Sequence, residues 1–419
     1  MNLTVRILIG MVAGLIVGTI FHTGLDPDGA VYRFLVEDLF DAGGQLFLAS
    51  LKVMVVPLVL VSLVCGAASL GATGRIGALG GKTIGLYLLT TAIAVSMAIT
   101  VALIVSPGEG SVTPAEVVYE AKEPPSIKDT LINIFPTNPV QAMAEGKMLQ
   151  IIVFALLLGV AISRAGAAGE RVRTAFEATN EVLMALIRML IQVAPYGVFF
   201  LMAKLFATVG FEEIGKLLAY FLTVAGTLVL HFGVTYSLLL ILLARINPLT
   251  YFKKMREPML VAFSTSSSGA TLPVTLRTVE RRVGVKNEVA AFVVPLGATI
   301  NMDGTAIMQG VATVFIAQFY GIDLTASQYL MVVVTATLAS IGTAAVPGVG
   351  LVMLTMVLSQ VGLPVEGIGL IIGVDRLLDM MRTAVNVTGD GTVATVVARS
   401  EGQFDESVFA DPEAGRVID

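Results

Sequence analysis

Long apolar runs separated by short polar segments dominate the chain up to residue 243. A helix needs about 20 predominantly apolar residues to cross a bilayer, and most of the runs approach or exceed that length. The pattern therefore predicts membrane-spanning helices within six segments, 8–21 with its flanking residues, 46–70, 83–105, 148–162, 182–209 and 217–243.

The composition supports an all-α membrane protein. Of the 419 residues, 56% are hydrophobic and 14% charged, and the mean hydropathy of +0.87 is far above that of a soluble globular domain. No small-residue cleavage site follows the first run, so we expect a retained helix and not a removed signal peptide.

Charges alternate between the segments that connect the runs. Residues 23–41 and 109–145 are mainly acidic, whereas 75–82, 164–173 and 245–286 are rich in Lys and Arg. Since basic loops stay on the cytoplasmic side, both termini are expected in the cytoplasm. The polar, acidic tail after Ala398 is expected to be a short mobile end.

Cysteine and histidine offer little for covalent or metal chemistry. Cys65 is the single cysteine, which excludes an internal disulfide, and the two histidines, His22 and His231, lie far apart in sequence. These counts argue against a zinc site or a Cys/His nucleophile.

Two polar stretches interrupt the apolar pattern in the second half. FSTSSSGATLP cuts one apolar segment between residues 247 and 282, and ASIGTAAVPGVG cuts another between 324 and 363. Backbone groups at membrane depth must be satisfied, so a break is tolerable only inside protein or beside a water-filled cavity. Aligning the prolines of the two stretches gives a repeat, in which these residues coincide: Pro273 with Pro347, Ser266 with Ser340, Ala270 with Ala344 and Leu272 with Val346.

This repeat predicts two re-entrant hairpins whose tips face a ligand. Matching interruptions in corresponding places point to a transporter site between repeats. Gly and Pro would permit the turn at each tip, and hydroxyls with freed backbone groups would face the ligand. The alternative is that Ser and Thr only pack kinked helices together.

A cluster of Asn, Asp and Gly follows each break, at residues 297–305 and 386–390. Glycine in an apolar helix favours local unwinding, which frees carbonyl oxygens. Carbonyls, Asn amides and carboxylates are hard oxygen ligands suited to Na⁺. The alternative is polar contact between helices.

The last apolar segment, 371–398, carries a stripe of polar and charged residues. At about 100° per residue the stripe spans roughly 80° of a helix, with Thr383 at its edge. A charge near the bilayer centre costs about 2.5 to 3.5 kcal/mol, so this face must be buried and paired. The stripe contains three acids and one arginine, which predicts a bound cation or ammonium; its members are Asp375, Asp379, Arg382, Asn386 and Asp390.

The donor and acceptor types on this stripe define a ligand. Arg382 suits a carboxylate and Asp379, one turn away, suits an ammonium. Asn386 and the hairpin hydroxyls suit a second carboxylate. The stripe therefore predicts a small amino acid with an additional carboxylate.

The motifs SSSGATLP, NMDGT and D-x-x-R-T-x-x-N-x-x-x-D resemble those of the dicarboxylate/amino acid:cation symporter family, the glutamate and aspartate transporters. The resemblance implies eight transmembrane helices and two re-entrant helical hairpins, in a homotrimer of the cell inner (plasma) membrane. It implies a scaffold (1–73 with spans 1–2, 139–210 with spans 4–5) and an elevator transport domain (span 3 in 74–138 with an extracellular loop, and the core 211–400). Residues 401–419 would form the polar C-terminal tail.

The resemblance also implies binding residues. Matched substrate positions are Ser266, Ser268, Thr305, Val346, Asp379, Arg382, Thr383 and Asn386, with backbone contacts near Ser266 and Val346. Matched Na⁺ positions form three groups: Gly297, Asn301, Asn386 and Asp390; Tyr87, Thr90, Thr91, Asn301 and Asp303; and backbone at Thr299, Met302, Ser340, Ile341 and Thr343. Apart from the resemblance, the stripe of Tyr87, Thr90 and Thr91 is more typical of contact between helices than of a cation site.

Two departures from the family pattern bear on mechanism. Proton-coupled relatives carry Glu where this chain has Gln309, and a neutral amide carries no proton, which favours Na⁺ coupling. Relatives also carry a second arginine, either in the tip of the first hairpin or beside the Asp of the last span. In this chain those two positions are Ser266 and Met380, and neither can replace its charge. Arg376 either compensates for that charge or is a structural partner of Asp375.

The sequence thus predicts a Na⁺-driven symporter of L-aspartate and/or L-glutamate. Alternatives within the family are a C4-dicarboxylate symporter, which Asp379 disfavours because it would repel a substrate without an ammonium, and a proton-coupled glutamate transporter. An enzyme is not expected, since no histidine neighbours the serines as a base. A channel would not need the paired Asp379 and Arg382.

Overall fold

A computed structural model describes residues 3–71, 77–110, 135–208, 214–341 and 348–415, and these residues form an all-helical structure. The principal helices, in chain order, are α1 (Leu3–Gly24), α2 (Asp41–Gly71), α3 (Gly77–Val105), α4 (Pro139–Ala144), α5 (Met148–Arg164), α6 (Gly166–Gln192), α7 (Ala194–Thr208), α8 (Ile214–Leu230), α9 (Pro248–Lys254), α10 (Arg256–Thr265), α11 (Ser268–Thr278), α12 (Asn287–Ile300), α13 (Asp303–Phe319), α14 (Ala326–Ser340), α15 (Val349–Gln360), α16 (Ile368–Ser400) and α17 (Glu406–Ala410).

Short helical segments with other hydrogen-bond patterns extend or precede some of these helices. π-helical segments occur at Arg33–Phe40, His231–Tyr236, Leu240–Ala244 and Val279–Val283, and a 3₁₀ turn, Val365–Gly367, precedes α16. The chain from α8 to Ala244 therefore stays helical, with two π segments inside it.

Four of the helices in the described part of the chain are long and apolar enough to cross a membrane: Val5–Gly24, Leu79–Val105, Gly215–Ala244 and Asn287–Phe319. The first three confirm runs predicted from the sequence. The single span predicted at 182–209 is wrong, because α6 ends at Gln192 and α7 begins at Ala194. Pro195 explains this break, since it has no N–H to donate to the preceding turn.

The helices pack in two groups. In the first group α1 lies along α7, and α2 lies against α5, α6 and α7. In the second group α3 lies against α13 and α14, and α8, α10, α12 and α13 all lie against α16. α13 and most of α16 are buried, so the polar stripe of α16 lies in the interior of the second group.

α10 and α11 form the first hairpin, as the polar break predicted. The residues at its turn differ from the expectation, however. Ser266 adopts the left-handed conformation (φ 51°, ψ 34°), and Ser267 caps α11 by accepting a hydrogen bond from the Ala270 N–H. Gly269 and Pro273, which were expected to permit the turn, lie inside α11.

α14 and α15 form the second hairpin, and they pack against each other. Ser340 ends α14 and Ser266 directly follows α10, so the two aligned serines occupy equivalent places. Residues 342–347, between these two helices in sequence, lie outside the described residues, and the predicted site residues Thr343 and Val346 are among them.

The helix that follows the first hairpin is broken, as its glycines predicted. α12 ends at Ile300 and α13 begins at Asp303, while Asn301 and Met302 have non-helical backbone angles. The corresponding expectation for the second cluster is wrong. α16 runs without a break through Gly389 and Gly391. Side chains of neighbouring helices pack closely against both glycines, so these glycines permit close approach and do not unwind the helix.

The C-terminal segment, residues 401–415, packs against the base of the first hairpin, so the expected mobile end is wrong over these residues. The Lys286 N–H donates to the Gln403 carbonyl at 3.0 Å, and the Asp405 N–H donates to the Gly284 carbonyl at 2.7 Å. Bonds from the Ser407 hydroxyl and the first N–H groups of α17 hold the pKa of Asp405 below its ordinary value. Main-chain hydrogen bonds to the base of the first hairpin therefore order this segment, although its residues are polar.

Lys254 connects the same base to the same segment. Its side chain is 3% exposed, and its ammonium donates to the carbonyls of Arg282 (2.7 Å), Val408 (3.0 Å) and Asp411 (2.8 Å). The ammonium also lies 5.5 Å from the centre of the Phe409 ring. Three carbonyls satisfy its three N–H groups, which makes burial of this charge tolerable.

Candidate functional site

Arg382 lies at the centre of the polar stripe of α16 and is completely buried. Its Nη2 donates to Asp379 Oδ1 at 3.0 Å, and its Nη1 lies 2.9 Å from Asp375 Oδ1 in an ion pair without hydrogen-bond alignment. Arg376 Nη1 lies 3.5 Å from the other oxygen of Asp379. The Nε of Arg382 has no partner among the described residues. Part of this guanidinium is therefore available to a ligand.

The second hairpin covers this arginine. The Gly348 N–H donates to Asp379 Oδ2 at 3.2 Å. A Cβ built on Gly350 would lie 3.3 Å from the Thr305 methyl and 3.4 Å from Arg382 Nη1. The start of α15 thus lies on the guanidinium and beside Thr305, which brings three predicted substrate positions together.

The start of α13 contacts α16 directly. The Gly304 N–H donates to Asn386 Oδ1 at 2.7 Å, and Asn386 Nδ2 lies 3.3 Å from the Met302 sulfur. The Thr383 hydroxyl donates to the Asp379 carbonyl at 2.7 Å. Thr305, Thr383 and Asn386 are therefore grouped around Arg382, as the matched positions predicted.

The serines of the first hairpin lie at its turn, and α10 packs along α16. Ser266 and Ser268 are 3% and 4% exposed, so both are buried polar residues. The Ser266 hydroxyl has no hydrogen-bond partner in the described part of the chain.

The first predicted cation group is assembled. Asn301 Nδ2 donates to Asp390 Oδ1 at 2.9 Å and to the Asn386 carbonyl at 3.2 Å. A Cβ on Gly297 would lie 2.5 Å from Asp390 Oδ1 and 2.5 Å from Tyr87 Oη. Asn301 Oδ1 is buried and has no partner within the described residues. An unpaired oxygen beside a carboxylate fits a hard cation.

The second predicted cation group meets at Asp303, which is fully buried. The hydroxyls of Thr91 and Thr90 lie 2.7 and 3.3 Å from Asp303 Oδ1. The same hydroxyls lie 2.9 and 3.0 Å from the Tyr87 carbonyl, one turn earlier in α3. Hydroxyl, carbonyl and carboxylate oxygens thus converge between α3 and α13, a donor set that fits Na⁺.

The third predicted group consists of backbone positions, and it stays a prediction. The Thr299 side chain is exposed and donates to its own helix, at the Leu296 carbonyl. The Ser340 hydroxyl likewise donates to the Thr337 carbonyl. Met302 directly precedes α13, and Ile341 directly follows α14. Thr343, the remaining member, lies outside the described residues.

Sequence reasoning missed two residues at Asp303. Its second oxygen, Oδ2, lies 3.2 Å from His231 Nε2 and accepts a 2.9 Å hydrogen bond from Tyr236 Oη. The sequence placed His231 in an unrelated apolar span. The sequence does show a polar pair five residues apart in an otherwise apolar run. In an α-helix, however, such residues are about 140° apart around the axis, so the pattern did not predict that they share a face.

Comparisons with known proteins agree with the predicted resemblance. The model of the sodium:dicarboxylate symporter family matches residues 3–400. The chain is 35% identical over 421 residues to the proton/glutamate-aspartate symporter of Escherichia coli (strain K12), with 96% of this chain and 94% of that protein covered. It is 34% identical over 410 residues to the proton/sodium-glutamate symport protein of Geobacillus stearothermophilus (96% and 95% covered). It is also 34% identical over 400 residues to the human neutral amino acid transporter A (84% and 74% covered).

Proposed function

The chain belongs to the sodium:dicarboxylate symporter family, whose members are membrane transporters and not enzymes, and we propose that it carries L-aspartate and/or L-glutamate inward together with Na⁺. The observation that carries this proposal is the buried pair of Arg382 and Asp379 under the second hairpin. The pair offers an acidic amino acid one partner of each sign.

Binding would exchange partners within this pair. Arg382 presents a planar fork that matches a carboxylate, while Asp379 matches an ammonium. In the present arrangement each neutralises the other at 3.0 Å. An acidic amino acid supplies a side-chain carboxylate to Arg382 and an amino group to Asp379, so both charges remain paired when the substrate enters. Asn386, Thr383, Thr305 and Ser268 would bind the remaining carboxylate together with backbone near the two hairpin tips.

Charge also separates this substrate from other candidates. A C4-dicarboxylate has no ammonium, so Asp379 would face a carboxylate and repel it. A neutral amino acid, as in the name of the human relative, has no side-chain carboxylate to pair with the buried Arg382, which would be left with Asp375. Arg376, beside Asp379, supports the acidic preference by adding a second positive charge near the site.

Sodium is the proposed coupling ion. The two groups at Asp390 and Asp303 present hard oxygen donors, and the family resemblance assigns Asn301 to both. Gln309 is 2% exposed in α13, and an amide at that position cannot carry a proton across the membrane. The names of the relatives include both ions, so the alternative is proton-coupled glutamate transport.

The packing of the helices supports an elevator mechanism with eight transmembrane helices and two re-entrant hairpins. The proposed scaffold, 1–73 and 139–210, contains α1, α2 and α4 to α7, which contact one another. The proposed transport domain, 74–138 and 211–400, contains α3 and the helices around α16. We place both termini in the cytoplasm, and the protein in the inner (plasma) membrane as a homotrimer, on the family resemblance and the charge of the loops.

Uptake into proteoliposomes tests this function. Labelled L-aspartate uptake would be measured under an inward Na⁺ gradient and, in parallel, under an inward proton gradient without Na⁺. Unlabelled L-glutamate, succinate and L-alanine would serve as competitors, and protein-free liposomes as the blank.

Uptake that requires Na⁺, and that glutamate competes with but succinate and alanine do not, is the expected result. Uptake driven by the proton gradient alone would replace Na⁺ by protons as the coupling ion. Competition by succinate and not by glutamate would reassign the substrate to C4-dicarboxylates.

A further inference from the structure

The π-helical segment His231–Tyr236 brings two polar side chains to one face of a membrane helix. In a π-helix the backbone bond joins residues i and i+5, so side chains five apart lie one above the other. The two rings are 4.8 Å apart and meet edge to face at 74°. Both residues are completely buried. The change of helix type therefore creates a pair of donors that an α-helix would have separated.

Both donors point at one oxygen of Asp303. His231 Nε2, in the tautomer that carries its proton there, and Tyr236 Oη approach Oδ2 at 3.2 and 2.9 Å. The other oxygen, Oδ1, faces the hydroxyls of Thr90 and Thr91. The two oxygens of one carboxylate thus have different surroundings, one toward α8 and one toward α3.

The surroundings of Oδ1 can change, whereas Oδ2 keeps the His231 N–H, which cannot turn to another acceptor as a hydroxyl proton can. Each threonine hydroxyl carries one proton and lies within reach of both Oδ1 and the Tyr87 carbonyl. When the proton turns to the carbonyl, the hydroxyl oxygen and Oδ1 are both available to a cation. His231 and Tyr236 do not contact Oδ1. Their bonds to Oδ2 oppose rotation of the carboxylate about its Cβ–Cγ bond.

Tyr236 also connects Asp303 to the last helix. Its hydroxyl lies 3.2 Å from the Val385 carbonyl. A Cβ on Gly389 would lie 2.5 Å from the same hydroxyl and 2.6 Å from Asn301 Nδ2. Only a glycine at 389 admits Tyr236 and Asn301 together. Tyr236 is thus packed between the two proposed cation groups.

We propose that His231 and Tyr236 are positioning residues for the Na⁺ position at Asp303, holding Oδ2 so that Oδ1 faces the ion. The inference rests on the proposed function, because it assumes that Na⁺ binds there. Removing a residue that orients a metal ligand typically lowers metal affinity about 10- to 100-fold. We therefore expect the loss of either donor to weaken Na⁺ binding while the fold persists.

The experiment compares Tyr236→Phe with Tyr32→Phe. Both tyrosines are buried and each hydroxyl lies 3.2 Å from a backbone carbonyl, but Tyr32 bonds to Ala207 in the first group of helices, which makes it the matched control. Na⁺ binding without substrate would be read from the rise of the unfolding temperature with Na⁺ concentration. A thiol-reactive dye can report unfolding, since Cys65 is the single cysteine. The Na⁺ dependence of aspartate uptake would be measured in parallel.

Tyr236→Phe should raise the half-saturating Na⁺ concentration about 10-fold in both measurements, with uptake at saturating Na⁺ retained and Tyr32→Phe unchanged. His231→Gln, which keeps an N–H donor, should be shifted less than His231→Leu. If Tyr236→Phe titrates like the wild type while the wild type responds to Na⁺, this inference is overturned and the proposed function stands. If the wild type itself does not respond to Na⁺ in either measurement, both are overturned.

Discussion

The Gly304 N–H donates a 2.7 Å hydrogen bond to Oδ1 of Asn386, and this bond joins the broken helix to the last one. It is possible because the two backbones approach closely. A Cβ on Gly304 would lie 2.6 Å from the Arg382 carbonyl oxygen and 2.8 Å from its Cα. The position of Arg382 therefore depends on the absence of a side chain at residue 304.

Gly304→Ala should impair both stability and uptake. The added methyl meets backbone, which cannot rotate away, and overpacking of this kind typically costs about 1 to 3 kcal/mol. Acidic amino acid uptake should fall more steeply than expression, since Asn386 and Arg382 would move apart from Thr305. Gly226→Ala in α8 is the control, because a Cβ there meets nothing within 4 Å. Equal behaviour of the two variants in thermal unfolding would contradict the close approach.

Arg382→Gln should abolish uptake and destabilise the protein. Asp375 would lose the arginine that lies 2.9 Å away, and Asp379 would keep only Arg376 at 3.5 Å. Removal of one member of a buried ion pair costs about 3 to 5 kcal/mol. Adding Asp375→Asn should restore part of the stability without restoring uptake. This double variant separates folding from binding.

Arg399→Gln is the control for the same substitution on α16. Arg399 pairs with Glu406 on the exposed side of the protein, and exposed pairs contribute about 0 to 1 kcal/mol. Its uptake and unfolding temperature should stay close to those of the wild type. Recovery of acidic uptake in Arg382→Gln with Asp375→Asn would refute the assignment of the substrate carboxylate to Arg382.

Ser266→Gly should preserve or raise stability. The residue is left-handed, a conformation that costs an L-residue about 1 to 2 kcal/mol and glycine almost nothing. The Ser266 hydroxyl makes no bond in the described part of the chain, so its loss removes no partner. Ser266→Val should lower the unfolding temperature, because a β-branched residue tolerates this conformation poorly.

The same change two residues earlier provides the comparison for Ser266. Ser264 lies within α10, where glycine costs about 0.5 to 1 kcal/mol, so Ser264→Gly should be destabilising. The two glycine variants should thus shift the unfolding temperature in opposite directions. A shift of the same sign and size in both would argue against the left-handed turn. Uptake should survive in Ser266→Gly, since the proposed contact with substrate there is through the backbone.

Lys254→Met should release the C-terminal segment. The variant keeps an unbranched side chain but leaves the carbonyls of Arg282, Val408 and Asp411 without their donor. Each unsatisfied buried acceptor costs about 1 to 3 kcal/mol, reduced where water enters. Limited proteolysis within residues 401–415, followed by mass spectrometry, should show faster cleavage than in the wild type. Lys253→Met, one residue earlier, is the matched control, and equal cleavage in both variants would contradict the contact.

The sequence predicted the part of the site that depends on one helix. The stripe of α16 follows from a helical period alone, and the break at Asn301 follows from the glycines and polar residues around it. The break predicted at Gly389 failed because tertiary packing decided it: Tyr236 and Asn301 fill the space beside that glycine. A glycine in a helix signals either unwinding or close approach, and the sequence does not distinguish the two.

Other features depended on local geometry that no period reveals. The turn of the first hairpin uses Ser266 and Ser267, whereas the more obvious Gly269 and Pro273 are helical. His231 and Tyr236 share a face only because the helix becomes π-helical. The acidic tail appeared mobile because its ordering comes from carbonyl groups, which every residue carries, and from Lys254, about 150 positions earlier in the chain.

The C-terminal segment also sets an order of biosynthesis. A ribosome makes a chain from its N-terminus, and domains generally fold as they are produced. The base of the first hairpin, at Lys254 and Gly284, is made long before its partners Asp405 and Val408. Until residues 408–411 leave the ribosome, the ammonium of Lys254 can reach only the Arg282 carbonyl of its three acceptors. The first hairpin is therefore completed only after residue 411 has been made, and a nascent chain shorter than this has a hairpin base with unsatisfied polar groups.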